Sequence, residues 1–482
     1  MLALDPSLSH DAKTIINYFY QISQIPRRSR EEWRIRDWLC AWAKDHNFNF
    51  ERDEIGNLLI HVPGTKGREI EVPTIIQGHL DMVCEKTVES KHDFSKDPLS
   101  LYVEGDWLKA KNTSLGADNG IAIAMAMHAA ASSNISHPPL ELLFTVEEET
   151  GLDGACALKE SWLTGKYLLN IDSEMEGYFT VGCAGGSTLL IDFPIERKKI
   201  ESKMYTYNLL IDGLKGGHSG LDINKHRGNA IQIAARVLNK ISQNFPVVLL
   251  DITGGTAHNA IPRRCEAIYA SDREIPNEIF SEIIRAIKNE FLQSDAGIIC
   301  ENLLEQLTAN KEFLTQASSL SLINFILACP CGPFDFALEE PELVETSNNF
   351  AKITIEQKIA KIISSQRSSV ASKLDFIVCK VKALAQLSGA KVEQGASYPP
   401  WQPIWNSELL RKCKVIYREL FATDVKVEVL HAGLECGVIS NKYPHCEMIS
   451  FGPTIVDPHS PDERLKISDV EKIWKLLKAI LA

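Results

Sequence analysis

Residues 75–86, IIQGHLDMVCEK, place an apolar segment directly before a histidine and an aspartate. The apolar run predicts a buried strand, and because side chains two positions apart share one face of a strand, His79 and Asp81 are expected to be neighbours. A charge at the end of a buried strand is costly unless it is paired. Two interpretations explain the pair: a core histidine hydrogen-bonded to an aspartate, or a metal-ligating imidazole whose second nitrogen is held by a carboxylate. This segment alone favours neither strongly enough to decide.

Apolar strands alternate with helices on both sides of this segment. The predicted strands are residues 57–62, 73–78, 140–146, 167–171 and 445–451. A buried helix is predicted at 119–133. Such alternation indicates an α/β layer structure with a largely parallel sheet. Ser468 and Glu471 have the spacing of a capping box, which predicts the start of the closing helix 468–482.

Further acidic residues and a second histidine also lie where predicted strands end. They are Asp118, the triplet Glu147–Glu149, Asp172 and His459. Each has an ordinary explanation as a helix N-cap, the solvated first turn of a helix, a turn residue or a surface-loop residue. With His79, however, they make five places at the carboxyl ends of strands, where ligand sites form in open α/β sheets. Two histidines with three or four carboxylates are a ligand set for two divalent ions, most naturally Zn²⁺.

Composition narrows the class of protein. The chain has 482 residues, which exceeds the usual length of a domain with a single hydrophobic core. This length predicts several domains. Its net charge of -12 argues against sequence-independent binding of nucleic acid or of an anionic membrane surface. No apolar run is long enough to span a membrane. The twelve cysteines are mostly scattered, and the N-terminus lacks an apolar signal-peptide core, so we expect reduced thiols and a cytoplasmic protein.

Seven motifs, in this order, resemble the aminoacyl-histidine dipeptidases (Xaa-His dipeptidases), which belong to the dinuclear zinc peptidases and deacylases. The motifs are GHLDMV, GADNG, EEETG, NIDSE, GGHSG, HAGLECG and GPTIVDPHSPDE. The resemblance spans nearly the whole chain. It implies an α/β catalytic domain with a mixed, mainly parallel sheet, formed by residues 1–186 and 400–482. Residues 187–399 would be an inserted α+β lid domain, which explains why His459 lies far in sequence from the other candidate ligands.

The resemblance also implies roles at the metal site. The implied ligands are His79 and Asp172 for one Zn²⁺, Glu149 and His459 for the other, and Asp118 as the bridge. Co²⁺ or Mn²⁺ would be substitutes for Zn²⁺. Asp81 would orient the first histidine, and the peptide bond between Asp118 and Asn119 would be cis.

The acidic triplet carries the implied general base. The family pattern Glu-Glu-x-Gly, ending here at Gly151, selects Glu148 as the base and Glu149 as a ligand, and it leaves Glu147 without a role. If the triplet extended the strand, Glu148 would face away from its two neighbours, so a local bend is needed to turn it toward the water. The implied reaction is attack of a metal-activated water on the scissile carbonyl, with Glu148 passing the proton to the leaving amine.

The lid would contribute to the substrate site. His218 in KGGHSG is implied to donate to the oxyanion, from the same chain or from a partner's chain; the alternative is a structural histidine in a glycine turn. Asn259 and Arg263 in GGTAHNAIPRR (254–264) resemble residues that contact substrate. His431 and Glu435 are expected to support the site rather than to bind metal.

Three functions remain open at this point. The first is hydrolysis of Xaa-His and other unblocked dipeptides, by a monomer or a homodimer. The second is hydrolysis of N-acyl amino acids by an amidohydrolase of the same group. The third is peptide binding without catalysis, which is disfavoured because Glu148 and every implied ligand are present.

Overall fold

The computed structural model describes residues 2, 4–199, 204–305, 311–338 and 340–482, which form two compact units. The first unit comprises Met1–Cys183, Pro403–Val429 and Leu434–Ala482, and the second comprises Ala184–Gln402 and Leu430–Gly433. The division based on sequence assigns residues 184–186, 400–402 and 430–433 to the first unit instead. The functions given to the two parts, catalytic domain and lid, stay predictions.

A mixed eight-stranded sheet runs through the first unit. In spatial order its strands are Asn49–Arg52, Leu58–Val62, Leu140–Thr145, Thr74–His79, Tyr167–Asn170, Glu447–Ser450, Tyr178–Cys183 and Lys426–Leu430. The four middle strands, Leu140–Thr145 through Glu447–Ser450, pair in parallel, and antiparallel pairs flank them. Strands Leu140–Thr145 and Thr74–His79 are buried at every residue, as expected for parallel strands covered on both faces. The predicted α/β class with a mixed sheet is confirmed.

Eight helices of the described residues belong to the first unit. They are His10–Ser23, Trp33–Asp45, Ala117–Ala131, Glu148–Gly151, Asp153–Ala157, Glu408–Phe421, Glu435–Lys442 and Ile467–Leu481. Helix Ala117–Ala131 is buried on nearly all sides because it consists mainly of Ala, Ile and Met. The capping box predicted for the last helix is wrong: the helix begins at Ile467, and the Ser468 hydroxyl donates to Asp106 at 2.5 Å instead.

The strand ends bring the candidate ligands to one edge of the sheet. His79 is the last residue of its strand, and the acidic triplet begins two residues after Thr145. A second sheet, with the order Ile455–Val456, Arg464–Lys466, Trp107–Ala110, Leu101–Glu104, anchors the loop that carries His459. That loop, residues 457–463, connects the first two of these strands.

The second unit is built on a mainly antiparallel nine-stranded sheet with helices against it. Its main path runs Ile299–Glu305, Tyr205–Asp212, Cys265–Ser271, Val248–Gly254, Val344–Ile355, Ile359–Ser368, Gly185–Pro194 and Lys391–Tyr398, and Gly332–Phe336 pairs with Val344–Ile355. Arg197–Lys199 and Glu312–Leu314 form a separate pair. The helices are Ala230–Ser242, Asn277–Glu290, Gln316–Ala328 and Ala371–Leu387, with a 3-10 turn at Ile223–Lys225. Aliphatic side chains such as Leu209, Val237 and Ile362 form its buried core.

Across the described residues, every helix is too short or too polar to cross a membrane.

Candidate metal centre

Asp118 lies between the two candidate histidine ligands. Its Oδ1 is 3.0 Å from Nε2 of His79, and its Oδ2 is 3.0 Å from Nε2 of His459. The first histidine is at the end of a buried strand and the second is in the loop 457–463, 380 positions later in the chain (459 − 79). Each of the two carboxylate oxygens of Asp118 thus faces a different imidazole, which is the arrangement that a bridging ligand requires.

Two further carboxylates complete two groups of three candidate ligands. Asp172 Oδ1 lies 3.4 Å from Nε2 of His79, and Glu149 Oε2 lies 3.2 Å from Nε2 of His459. Within each group, His79–Asp118–Asp172 and Asp118–Glu149–His459, the ligand atoms lie within 4.8 Å of one another. The first group is deep, since the His79 side chain is 1% exposed, whereas that of His459 is 49% exposed. The second group is therefore the more accessible one.

The chemistry of these groups fits two divalent cations. Three carboxylates cluster here. Among the described residues, the buried oxygen Glu149 Oε1 has no hydrogen-bond partner, and Asp172 Oδ1 has only its ion-pair contact of 3.4 Å with His79. Buried polar atoms without partners are costly, and like charges in one place repel. Nitrogen and oxygen donors in this number suit Zn²⁺ and related first-row ions. Bound cations would satisfy both the lone pairs and the excess negative charge.

Without metal, the histidines balance the carboxylates. Burial on its own lowers the pKa of His79, but its contacts with Asp118, Asp172 and Asp81 outweigh burial and raise that pKa well above its usual value. Contacts with Asp118 and Glu149 raise the pKa of His459 to about 11. In the absence of metal, the carboxylates thus favour the protonated form of both imidazoles. Metal binding has to displace these protons, because a ligating imidazole is neutral.

Asp81 holds several parts of the centre together. This fully buried carboxylate lies 3.3 Å from Nδ1 of His79, an ion-pair contact rather than a well-aligned hydrogen bond. Its oxygens also accept the backbone N–H groups of Glu148 and Glu149, at 3.1 and 3.2 Å, and the hydroxyl of Ser29, at 2.7 Å. Sequence reasoning predicted the contact with His79 but missed the other three. Two of these involve backbone N–H groups, which no side-chain pattern encodes, and the third involves Ser29, which belongs to no motif.

The bend that the sequence required in the acidic triplet is present. Glu147 has a φ of 53°, in the left-handed region, and Glu148 then begins the short helix Glu148–Gly151. The Glu147 carboxylate pairs with Arg30 at 3.3 Å, outside the groups of candidate ligands. The carboxylate of Glu148 instead lies in a third group, with His79 and Glu149. The structure therefore brings Glu148 to the candidate centre and turns the Glu147 carboxylate away from it, toward the exposed Arg30.

Glu148 is an unusual carboxylate. Burial raises its pKa well above the usual value; His79 opposes this shift, and the nearby charges of Asp172, Glu435 and Glu149 add to it. A carboxyl group whose pKa is raised is suited to accepting a proton and giving it back.

Asn119 is a residue of this site that sequence reasoning did not select. The peptide bond between Asp118 and Asn119 is cis, as the resemblance implied. The Asn119 side chain accepts the backbone N–H of His79 at 3.3 Å and donates to the carbonyl of Ile171 at 2.7 Å. It thereby joins the segments that carry three candidate ligands, His79, Asp118 and Asp172. Gly78 makes room for it, because a Cβ there would lie 2.3 Å from the Asn119 oxygen.

His218, in the second unit, is a neutral imidazole with one nitrogen in use. Its Nδ1 accepts the backbone N–H groups of Gly220 and Leu221, at 3.2 and 3.1 Å, so the ring proton is on Nε2, where it can be donated. Burial and the charge of Arg367 lower the pKa of His218 to about 4. The backbone carbonyl of Asn259 accepts the N–H of Ser219 at 2.7 Å, which brings that segment beside the histidine.

The side chains of Asn259 and Arg263 are exposed, and among the described residues neither side chain forms a hydrogen bond or an ion pair. Their role in substrate binding stays a prediction.

A second group of polar residues in the second unit was missed. Arg367 is buried and donates from Nη1 to the hydroxyl of Tyr398 at 2.9 Å, while its Nε has no partner among the described residues. No carboxylate of the described residues forms an ion pair with it. Burial and this guanidinium lower the pKa of His431 to about 3, and that histidine shares a hydrogen bond of 2.8 Å with Ser347. A buried cation without an acidic partner suits an anionic ligand.

Glu435 is buried beside the metal centre of the first unit. Its Oε2 accepts hydrogen bonds from Gln77 at 2.6 Å and Thr145 at 2.7 Å, and burial raises its pKa to about 7. Glu435 belongs to none of the groups of candidate ligands, in agreement with the expectation that it supports the site rather than binds metal.

Comparison with known proteins gives matches over most of the chain. The model of peptidase family M20/M25/M40 matches residues 75–482. The cytosol non-specific dipeptidase of Escherichia coli (strain K12) is 38% identical over 466 residues, which is 96% of each chain. The crystal structure of aminoacylhistidine dipeptidase from Vibrio alginolyticus superposes with a TM-score of 0.91 at 36% identity, covering 99% of this chain and 97% of that one. An aminopeptidase from Bacillus cereus, 18% identical with a TM-score of 0.56 and 98% of both chains covered, shares the fold.

Proposed function

This chain belongs to peptidase family M20/M25/M40, and on that premise we propose that it is a metal-dependent dipeptidase that cleaves Xaa-His and other unblocked dipeptides. It is a hydrolase, and the two relatives described above that are 36% and 38% identical over nearly the full length are dipeptidases. The observation that carries the proposal is Asp118, which faces both His79 and His459 at 3.0 Å with a further carboxylate beside each.

The metal ligands follow from these two groups. One cation would be held by His79 and Asp172, the other by Glu149 and His459, and both by Asp118. We propose Zn²⁺, because imidazole and carboxylate donors suit it, with Co²⁺ or Mn²⁺ as substitutes. When bound, two such ions supply Lewis acidity and make water a better nucleophile at neutral pH.

Glu148 is the general base in this proposal. It takes a proton from the attacking water and returns it to the amine that leaves. Its raised pKa and its place beside His79 and Glu149 support this role. Asp81 keeps it in place through the backbone N–H of Glu148 and orients His79 at the same time.

The second unit would act as a lid that supplies substrate contacts, from the same chain or from a partner in a homodimer. His218 would donate its Nε2 proton to the oxyanion, which its tautomer and its low pKa support. Arg367 would bind the carboxylate of the dipeptide, because it is a buried guanidinium whose Nε lacks a partner. Asn259 and Arg263 would contact the substrate at the periphery. The name of the Escherichia coli relative supports a cytosolic location.

The experiment is a hydrolysis panel of β-alanyl-histidine, other dipeptides, a dipeptide amide and an N-acetyl amino acid, each with and without chelator. We expect chelator-sensitive cleavage of free dipeptides and little cleavage of the amide. Preferential hydrolysis of the N-acetyl amino acid would instead assign the chain to the amidohydrolases of the same group.

A further inference from the structure

Glu463 is buried against the turn that precedes Asp118. Glu463 is only 3% exposed, and it is the last residue of the loop 457–463 that also carries His459. Oε2 accepts the backbone N–H groups of Leu115 at 2.7 Å and Gly116 at 2.9 Å. Oε1 accepts that of Ala117 at 2.8 Å. The N–H of Asp118 is also directed at Oε1, at 3.4 Å.

These N–H groups need a partner from elsewhere in the chain. They lie at the start of helix Ala117–Ala131, where backbone donors have no partner within the helix. The residue at the cap position is Gly116, which has no side chain to accept them and which has a φ of 66°. A carboxylate at a helix N-terminus also interacts favourably with the helix dipole. Glu463 thus replaces a local cap with one that is 345 residues away along the chain from Asp118.

Arg27 binds a backbone carbonyl of the same turn, whereas Glu463 binds its backbone N–H groups. This guanidinium is 2% exposed; it donates to the carbonyl of Gly116 and, at 3.0 and 2.7 Å, to those of Leu80 and Asp81. The segment 80–81 directly follows His79, so Arg27 connects the strand end that carries His79 to the turn that carries Asp118. The charges of Arg27 and Glu463 attract each other across this turn.

We propose that Glu463 is a positioning residue that fixes Asp118 between the two histidines before any metal binds. It has this effect because it belongs to the loop of His459 and at the same time holds the backbone of residues 115–118. The bridging carboxylate and the more exposed histidine are thereby set at their 3.0 Å separation by a third side chain. The inference rests on the ligand set proposed above.

The test uses Co²⁺, whose visible absorption reports the geometry of its ligands, and the variant Glu463→Gln. Gln keeps the size of the side chain but replaces one acceptor oxygen with an NH₂ group, which faces backbone donors. We expect the variant to bind Co²⁺ about 10–100-fold more weakly, the usual cost of removing a group that supports metal ligands. We also expect its absorption spectrum to differ from that of the wild-type protein.

Glu141→Gln is the matched control. Glu141 is also 3% exposed and also accepts backbone N–H groups, from Thr164 and Gly165 at 3.0–3.1 Å, but it lies near the start of strand Leu140–Thr145, at the end remote from the acidic triplet. Its substitution should reduce the melting temperature and leave the Co²⁺ affinity and spectrum unchanged.

The outcomes separate the inference from the proposed site. An unchanged affinity and spectrum in Glu463→Gln, with wild-type protein that binds Co²⁺, overturns the positioning role alone. Wild-type protein that binds no Co²⁺ overturns the ligand set and the inference with it. If Glu463→Gln does not fold, hydrogen exchange of the metal-free wild-type protein decides: the amides of residues 115–117 should be strongly protected, and exchange at the rate of an unstructured peptide would contradict the inference.

Discussion

The backbone N–H of Glu149 donates to Oδ2 of Asp81 at 3.2 Å. The other oxygen of the same carboxylate accepts the N–H of Glu148 at 3.1 Å and lies 3.3 Å from Nδ1 of His79. Asp81 therefore touches an imidazole that is a proposed ligand and also the backbone of both the proposed base and another ligand. This makes it more than an orienting partner of one histidine.

Replacing Asp81 with Asn should damage both metal binding and turnover. The Asn side chain has one acceptor oxygen instead of two, so it cannot accept both backbone N–H groups and also face His79 as a charge. We expect the metal affinity and kcat each to fall about 10–100-fold. Metal titration and steady-state kinetics on the same preparation measure this. Wild-type values for both would show that the three contacts are dispensable.

The acidic triplet offers a comparison of base, ligand and bystander. Glu148→Ala should lower kcat by about 10²–10⁴, since a general base contributes that much, while both metals stay bound. Glu149→Ala should lose or greatly weaken one metal ion per chain. Glu147→Ala is the control: its partner Arg30 is 73% exposed, and such surface pairs contribute little. Loss of metal from Glu147→Ala would show that the assignment is wrong by one position.

His218→Ala should slow turnover without releasing metal. Because its neutral ring is held with the proton on Nε2, we expect the loss of one oxyanion donor, about 10²–10³ in kcat. Metal content should equal that of the wild-type protein. An unaltered kcat would leave His218 as a structural histidine of the glycine-rich turn.

Arg367→Met should weaken binding of substrates that carry a free carboxylate. We expect a higher KM for dipeptides and a loss of the preference for a dipeptide over its amide, since a neutral side chain no longer distinguishes them. Kinetics on the paired substrates measure that preference. Arg285→Met, at an exposed arginine of helix Asn277–Glu290 with no proposed role, is the control. A preference retained in Arg367→Met would place the carboxylate elsewhere.

Sequence was most informative where chemistry follows a strand end directly. His79 and Asp172 were found because apolar runs predict parallel strands whose carboxyl ends meet at one edge, whereas Asp118 was found in the turn before a predicted buried helix. Asp118 was assigned as the bridge only through the resemblance, because spacing does not say which carboxylate lies between two histidines. The bend at Glu147 was expected from the alternation of strand faces, and its left-handed φ provides it.

Other residues could not be predicted because their partners are distant. Glu463 and Arg27 act on backbone groups of residues 115–117 and 80–81, contacts that no side-chain pattern encodes. Arg367 lies in a region without a motif, and its significance comes from the lack of an acidic partner. The capping box at Ser468 failed for the same reason, since Asp106 binds its hydroxyl.

The central claim is that two metal ions, held by the five proposed ligands, are required for hydrolysis. Elemental analysis of the purified protein, combined with dipeptide hydrolysis before and after chelation, tests it most directly. We predict about two metal ions per chain, complete loss of activity when they are removed, and recovery with Zn²⁺, Co²⁺ or Mn²⁺. Full activity in protein from which no metal can be detected would contradict the account.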